Sequence, residues 1–438
     1  GLVLGYGYAH LLVSLLRNQR KWQLGVHFVL LTLVLFTLPI SPSAEMKPTS
    51  VDTEPIWGIV KLLTLSVGFP YVLLAASGPL IQHWFSEVYP NRSPFRLYAV
   101  SNLGSLLALV SYPFVIEPLL GVTRQTVLWS GLFVVYSLLL AWIAVVFFRN
   151  AKTPVSSTRE PDGEVFSASA IDVRPTISQL AKWIAFSACG SILLLSLTNQ
   201  MCQDVAVVPF LWVVPLALYL LTFVIAFDHS RWYSRPFIII PAMAAIALTL
   251  ILINRQNEME EWPLVWQIVI YCSALFFSCL ICHGEIVRLK PKARYLTGFY
   301  LAISIGGALG GIFVNFVAPK IFSNYWELHF GLGLLAFLTT WQLFPIWRSI
   351  WRWEEACTRP WGKRSVIGLA GILWAASLVA MGLGLRHHVK ETNIEVITSA
   401  RGFFGVLRVT EKQTGQTNES RSLFHGRINH GRQYTHPR

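Results

Sequence analysis

The stretch SCLICHGEIVRLKP contains the residues whose types and spacing most directly suggest chemistry. Within it, Cys279, Cys282 and His283 form the pattern CxxCH, which is the attachment signature of a covalently bound c-type haem. On a helix these residues stand at i, i+3 and i+4, and they therefore share one face. What the pattern can do depends on the segment that carries it.

Two residues of the same stretch, His283 and Glu285, are a second candidate site. They could act together at the mouth of a helix bundle. Alternatively, Glu285 is a helix-end residue that pairs with Arg288 or with another basic side chain. Glu285 stands on a different face from the CxxCH residues, so a zinc ion there would lack its fourth ligand.

A third candidate site consists of Asn199, Gln203 and Asp204, which lie between two apolar segments. Polar groups at a membrane edge can form a binding or ion site. A hydrogen-bonded turn, in which Asp204 caps the next helix, explains the same residues equally well.

Composition defines the class of protein. Of the 438 residues, 54% are hydrophobic and 13% are charged, which is about half the charged fraction of an average soluble domain. Apolar runs recur along most of the chain, and their lengths are close to the ~20 residues that a helix needs to cross the bilayer core. We therefore predict an all-α polytopic membrane protein.

Twelve apolar segments are predicted to span the membrane in two blocks. The first block occupies residues 1–148, a polar linker occupies 149–180, the second block occupies 181–385 and a tail occupies 386–438. The chain opens directly with apolar residues and has no signal-peptide pattern, so we expect its start to be a truncation. The segments are 1–16, 25–40, 56–84, 98–119, 127–148, 181–198, 205–227, 236–253, 265–286, 297–319, 329–345 and 365–385.

Lys and Arg concentrate in alternate loops and account for much of the formal net charge of +13. Because cytoplasmic loops carry the excess of basic residues, we predict that these loops face the cytoplasm. The same alternation places the tail outside, and one miscounted segment would reverse its side. The net charge is thus a signal of topology in the lipid bilayer, and it requires no nucleic-acid partner.

Charge also bears on the CxxCH pattern, which occupies the basic end of its segment, directly before Arg288. Covalent haem is attached on the outer side of bacterial membranes, and a cysteine-rich helix forms this short pattern readily by chance. We therefore predict no haem at Cys279, Cys282 and His283, and no metal or other cofactor in the chain.

Small residues mark a predicted helix contact. Gly306, Gly307, Gly310 and Gly311 form two overlapping GxxxG patterns, which let a neighbouring helix backbone approach closely. The neighbour could be a helix of the same chain or of a second copy, and internal packing is the favoured interpretation.

In the tail the pattern of apolar residues changes from long apolar runs to an alternation with a period of two. NIEVITSARGFFGVLRVTEK and SRSLFHGRINHGRQY alternate apolar and polar residues, and QTGQTNE between them is typical of a turn. We predict a short C-terminal β-hairpin that begins a soluble α/β domain. The tail is too short to bury a core of its own, so we expect the domain to continue beyond Arg438.

ARGFFGVLRV and SRSLFHGRINHGRQYTHPR resemble the opening β-structure of spermidine-synthase-like proteins, in the bacterial group whose multi-helix membrane region precedes that domain. The segments LGYGYAH, VAVVPFLWVVPLALYLLTF, CHGEIVRLKP and GFYLAISIGGALGGIFVNFVAP are similar to family segments in the same order. The resemblance implies a polyamine aminopropyltransferase-related protein, whose substrate would be decarboxylated S-adenosylmethionine. It also implies a substrate-binding role for Gly426 and Gln433, although His425 stands where the family has an acid.

The family's Gly-rich nucleotide loop and acidic catalytic residues are expected downstream of Arg438, and we assign no catalytic residue within the chain. Three roles stay open. The chain could anchor a synthase-like domain or deliver substrate to it, it could be an accessory subunit that packs against other membrane proteins, or it could be a transporter-like bundle for a small molecule. Charges are scarce in the middle of the apolar segments, which argues against coupling to protons or cations.

Overall fold

A computed structural model describes most of the chain. Helices occupy it up to Asn393, and a small β-sheet follows. The predicted helical membrane class with C-terminal β-structure is thus confirmed. The described residues are 1–17, 19–40, 55–90, 92–150, 174–202, 210–255, 262–351, 361–402, 405–412, 415, 419–426 and 428–435.

The α-helices of the described residues follow the predicted apolar segments closely. They are α1 Leu2–Leu15, α2 Arg20–Leu35, α3 Pro55–Leu63, α4 Phe69–Val88, α5 Phe95–Ser111, α6 Glu117–Leu119, α7 Val122–Asn150, α8 Ile177–Gln200, α9 Phe210–Asp228, α10 Arg235–Asn254, α11 Leu264–Arg288, α12 Leu296–Ile312, α13 Ala318–Ile321, α14 Glu327–Trp351 and α15 Trp361–Asn393.

Three π-helical turns, at Thr64–Gly68, Tyr112–Ile116 and Phe313–Val317, join neighbouring helices into continuous rods. The second contains Pro113, and the first and third end two residues before Pro70 and Pro319. Proline lacks the N–H that would bond to the preceding turn, and a wider turn adjusts the ladder around the freed carbonyl. The rods therefore stay long enough to cross a bilayer.

Ten helical stretches of the described chain are long and apolar enough to cross a membrane. Of the remaining helices, α1 is apolar but has 14 residues, and α2 has 16. The structure thus supports a multi-pass membrane protein, while the count of twelve spans stays a prediction. The ten stretches are Trp57–Val88, Phe95–Leu119, Val122–Phe147, Ile177–Gln200, Leu211–Asp228, Arg235–Asn254, Leu264–Arg288, Ala293–Ile321, Glu327–Pro345 and Gly368–Asn393.

The chain divides into two compact units. One contains Gly1–Leu180 and Leu289–Ile305, and the other contains Ala181–Arg288 and Gly306–Arg438. The first division falls at the end of the predicted linker. The return of Leu289–Ile305 to the first unit was not anticipated, because hydropathy reports which segments are apolar and not which segments pack together.

In the first unit α1, α2, α4 and α7 enclose an apolar core. A Cβ added at Gly5 would lie 2.6 Å from the Val72 carbonyl oxygen, so α1 and α4 approach closely. Two polar side chains inside this core are paired, since the indole N–H of Trp84 donates to Gln23 Oε1 over 3.0 Å. The pairing matters because an unsatisfied polar group in an apolar core is costly.

In the second unit the GxxxG glycines of α12 face α8. A Cβ added at Gly306 or Gly310 would overlap backbone carbonyl oxygens of α8, and one at Gly307 would lie 3.4 Å from Ser191 Oγ. A Cβ at Gly311 would have nothing within 4 Å. Three of the four glycines therefore serve a contact inside the chain.

The C-terminal sheet is an antiparallel meander in the order β1 Val396–Gly402, β2 Gly405–Lys412, β3 Ser420–His425 and β4 Ile428–Tyr434. The predicted hairpin has only two strands, and the structure corrects it. Each predicted strand is itself a hairpin, because a glycine with positive φ stands at its centre, at Gly405 (φ 130°) and Gly426 (φ 59°). Glycine adopts this conformation without steric cost.

Candidate functional site

His283, the histidine of the CxxCH pattern, is wholly buried in the second unit. Its Nδ1 lies 2.9 Å from the Thr222 hydroxyl, which itself donates to the Tyr219 carbonyl over 2.7 Å. The single hydroxyl proton is thereby used, so His283 Nδ1 is the donor and Nε2 carries a lone pair. Nε2 has no hydrogen-bond partner within the described part of the chain. The ring stacks on Phe223, with centroids 3.6 Å apart.

Glu285 is buried and holds the start of α10 against the end of α11. Arg235 Nε donates to Glu285 Oε1 over 2.6 Å, and an Nη of Arg235 donates to Oε2 over 2.7 Å. The Tyr233 hydroxyl donates to Oε1 over 2.8 Å. The sequence left open whether Glu285 pairs with Arg288 or with another basic residue, and in the structure its partner is Arg235. Burial, reinforced by the Glu285 carboxylate, raises the pKa of Tyr233 well above its usual range.

The other residues of CHGE also serve packing. Cys279 and Cys282 are wholly buried, and the Cys279 thiol faces the Gly190 carbonyl at 3.7 Å. A Cβ added at Gly284 would overlap the Tyr233 ring, so only glycine fits there. Among the residues that the structure describes, no group of three or more His, Cys, Asp or Glu is placed to hold a metal ion. The segment fastens α11 to its neighbours at one end of the second unit.

The structure describes only part of the predicted polar cluster of Asn199, Gln203 and Asp204, which begins at the C-terminal end of α8. Asn199 is half-buried on the last turn of that helix. Gln203 and Asp204 lie outside the described residues, so their proposed convergence with Asn199 stays a prediction.

Arg401 and Glu327 join the sheet to the membrane helices. Arg401 lies on β1, Glu327 is the first residue of α14, and their side chains are 5% and 0% exposed. The two terminal nitrogens of Arg401 donate to the two carboxylate oxygens, each over 2.9 Å. The Arg401 guanidinium also donates to the Asn324 carbonyl over 2.6 Å and lies over the Tyr325 ring. Both charges are therefore paired, and the guanidinium donates three hydrogen bonds.

Two histidines lie beside this junction. His388 Nδ1 and His329 Nε2 are 3.0 Å apart, and the two rings are nearly parallel, with centroids separated by 5.1 Å. The Trp326 ring meets both edge-on. His329 Nδ1 is buried and has no hydrogen-bond partner within the described residues. We call Asn324, Tyr325, Trp326, Glu327, His329, His388 and Arg401 the sheet junction.

The two residues that the resemblance assigns to substrate binding lie apart on the sheet. Gly426 forms the turn between β3 and β4, whereas Gln433 pairs with Arg421 near the far end of β4. Gln433 is five positions beyond Ile428, the first residue after that turn, along an extended strand, which is about 17 Å. The two residues therefore lie at opposite ends of β4, and their role in substrate binding stays a prediction.

The fold and the junction define the class as a multi-pass helical membrane protein that carries a β-sheet on its helix ends. No protein-family model, no curated protein and no solved structure matches this chain.

Sequence reasoning missed the main residues of the junction. Glu327 and Arg401 are 74 positions apart, and each taken alone is an ordinary charged residue at the end of an element. One weak signal was available, since Glu327 directly precedes an apolar segment and acidic residues favour the first turn of a helix. Nothing in the sequence indicates its partner.

Proposed function

We propose that this chain is the membrane region of a spermidine-synthase-like protein, and that it anchors the β-structure of that domain in a fixed position on the helix ends. The observation that supports this role is the buried Arg401–Glu327 pair. A flexible tether would hold the sheet without any buried charge pair. In this protein the loss of one partner would cost about 3–5 kcal/mol, so separating the sheet from the helix ends is unfavourable. The pair is therefore suited to hold the sheet in one orientation.

Further contacts support a rigid attachment. The Ser399 hydroxyl donates to the Ser323 carbonyl over 3.2 Å, and Arg401 binds the Asn324 carbonyl. Ser323 and Asn324 lie in the short connection between α13 and α14. The first strand is thus held to the end of a helix pair as well as to α15, the helix that leads into it.

The distribution of basic residues supports one side of the membrane for the sheet. Arg235 and Arg288 stand at one end of α10 and α11, whereas the Asn254 amide, at the other end of α10, donates to the Gly384 carbonyl near the end of α15. Since α15 leads into β1, the sheet lies at the end of this unit opposite Arg235 and Arg288, and loops on the Arg235 side hold the larger share of the basic residues. Under the positive-inside rule, we infer an extracytoplasmic sheet in a bacterial inner membrane.

Cysteine labelling in intact cells tests this orientation. Thr398 on β1 and Arg231 at the other end of the unit are both exposed, and the natural cysteines 189, 202, 279 and 282 are buried. In a Cys357→Ser background, a membrane-impermeant maleimide should label Thr398→Cys from outside and Arg231→Cys only after permeabilisation. The opposite pattern would place the sheet in the cytoplasm.

The family assignment has its own test. If the family assignment is right, the gene sequence after the codon for Arg438 encodes a Gly-rich nucleotide loop and acidic catalytic residues. The extended protein in membranes should then transfer an aminopropyl group from decarboxylated S-adenosylmethionine to putrescine. If the following sequence lacks these elements and no transfer is observed, the synthase relationship is rejected, while the anchoring geometry can still be tested on this chain.

A further inference from the structure

One face of the C-terminal sheet carries two arginines. Thr410, Ser422 and Arg432 lie opposite one another on β2, β3 and β4, and side chains directly opposite on paired strands share a face of the sheet. Arg408 stands two positions before Thr410 on β2 and therefore points to the same face. The pairing of β1 with β2 also places Ser399 opposite Arg408. We call the face that carries these five residues the inner face.

The two arginines of the inner face bind neutral groups. Arg432 Nε donates to a serine hydroxyl of β3 over 3.2 Å, and an Nη of Arg408 donates to the Gly426 carbonyl over 3.4 Å. Among the residues that the structure describes, no carboxylate lies within ion-pair distance of either guanidinium. Both guanidinium groups therefore keep their positive charge unpaired.

The acidic residues of the strands lie elsewhere. Glu411 and Arg421 are partners in register across β2 and β3, on the opposite, outer face, and their side chains form an ion pair 2.8 Å long. Lys412, at the end of β2, lies 4.0 Å from Glu395, which directly precedes β1. The unpaired positive charge on the described strands is therefore concentrated on the inner face.

The inner face is also the face that meets the membrane helices. The Ser399 hydroxyl donates to the Ser323 carbonyl over 3.2 Å, and Arg401, two positions further along β1, pairs with Glu327. Glu327 begins a helical stretch that is long and apolar enough to cross a membrane. Because β1 rests on the end of that helix through its inner face, this face is directed towards the membrane.

The inner face extends beyond the helix end. β4 is the third strand after β1 in the sheet, which is about 14 Å away at the spacing of neighbouring strands. All residues of β4 are exposed, so no described helix covers this strand. The surface that lies on the membrane side of β4, beyond the helices, is the layer of lipid headgroups.

We propose that the inner face of the sheet binds the headgroups of anionic phospholipids, with Arg408 and Arg432 as the side chains that contact them. The partner follows from position and charge together, since a basic face directed towards a bilayer is complementary to anionic lipid. Each basic side chain near such a surface strengthens the attraction about fivefold. The proposal depends neither on transferase chemistry nor on the side of the membrane that carries the sheet.

Hydrogen exchange of the full chain in nanodiscs tests the contact, with phosphatidylglycerol or phosphatidylcholine as the lipid. Lifting the sheet from an anionic surface is unfavourable, so the β3 amides should exchange at least fivefold more slowly in phosphatidylglycerol. Arg432→Gln should reduce this difference about fivefold. Arg421→Gln removes the same charge from the outer face and should leave the difference unchanged.

Three outcomes would overturn the proposal. The first is equal exchange of the natural protein in the two lipids, and the second is an equal effect of Arg432→Gln and Arg421→Gln. The third is protection by added inorganic phosphate in phosphatidylcholine that matches the protection by phosphatidylglycerol, because the ligand would then be a soluble anion.

A second measurement keeps both arginines. Tyr434 and Gln433 are neighbours on β4, and their partners on β3, Ser420 and Arg421, place them on the inner and outer faces respectively. Each is replaced by cysteine in a background with Cys272→Ser and Cys357→Ser, and labelled with a fluorophore. In phosphatidylglycerol nanodiscs, a nitroxide on the lipid headgroup should quench the label at position 434 more strongly than the label at 433. Equal quenching, or the reverse order, would show that the inner face does not lie on lipid, even if Arg432→Gln fails to fold.

Discussion

Arg401 of the first strand and Glu327 of the fourteenth helix form a bidentate ion pair that is almost completely buried, with both hydrogen bonds 2.9 Å long. Two charges removed from water are stable only when each is fully paired. In this protein the pair determines how a small sheet is held on a helical membrane bundle.

Arg401→Gln should release the sheet. The substitution leaves the Glu327 carboxylate buried and unpaired, and we expect a loss of about 3–5 kcal/mol in the stability of the junction. Hydrogen exchange of the β1 and β2 amides, followed by mass spectrometry, should speed up while the amides of α8 and α11 remain protected.

The double variant Arg401→Met with Glu327→Leu is the control for this experiment. It removes both charges and replaces them with apolar groups, which is often neutral. Protection of β1 should therefore return towards the natural level. If Arg401→Gln alone leaves the exchange of β1 unchanged, the pair does not hold the sheet.

Gly310→Ala should disturb the contact between α8 and α12. An added Cβ would lie 2.5 Å from the Ala188 carbonyl oxygen, and overpacking of this kind costs about 1–3 kcal/mol. Gly311→Ala adds the same methyl group where nothing lies within 4 Å. Thermal unfolding in detergent should show a lower midpoint for Gly310→Ala only, and equal midpoints would exclude a tight helix seam at Gly310.

Glu285→Gln should loosen the end of α11. The amide cannot accept both hydrogen bonds from Arg235 as a carboxylate does, so the buried guanidinium loses its charge partner. We expect a loss of a few kcal/mol, measured as a lower midpoint of thermal unfolding. The matched control is Glu391→Gln, whose carboxylate is half exposed and whose pairing with His387 contributes little. A midpoint equal to that of the control would show that the Arg235 pair is dispensable.

Alkaline pH should weaken the same region through Tyr233. Burial and the nearby carboxylate raise its pKa in the folded protein, whereas the unfolded phenol titrates near 10. Above about pH 10 the unfolded state therefore binds fewer protons than the folded state, and stability falls as pH rises. The contribution of Tyr233 is complete below about pH 10.

The measurement is chemical unfolding in detergent at pH values between about 8 and 11. Tyr233→Phe removes the phenol and its hydrogen bond to Glu285, so it should be less stable than the natural protein at neutral pH and lose less stability above about pH 10. If the free energy of unfolding falls equally with pH in the natural protein and in Tyr233→Phe, ionisation of Tyr233 does not cause the loss of stability.

The candidate sites differ in how far they could be predicted. For Glu285 the sequence indicated a basic partner and left its identity open, because Arg235 is 50 positions away. For His283 it suggested a helix-end polar group, while the structure buries the ring between Thr222 and Phe223. The prediction of a two-stranded hairpin in the tail was wrong, because the sheet has four strands. Gly405 and Gly426 form turns in the middle of the two predicted strands, and the alternation of apolar and polar residues does not show these turns.

By itself the sequence determined the membrane class, the positions of the long helices, the small-residue seam and the presence of β-structure after Asn393. These features depend on hydrophobicity, period and backbone freedom, which are local properties of the chain. Only the tertiary structure decided that Glu327 meets Arg401, that Glu285 meets Arg235, and that the face of the sheet with Arg408 and Arg432 is the one that meets the helices. Such pairings join residues far apart in the chain, and their energies depend on burial and on the orientation of side chains from several elements at once.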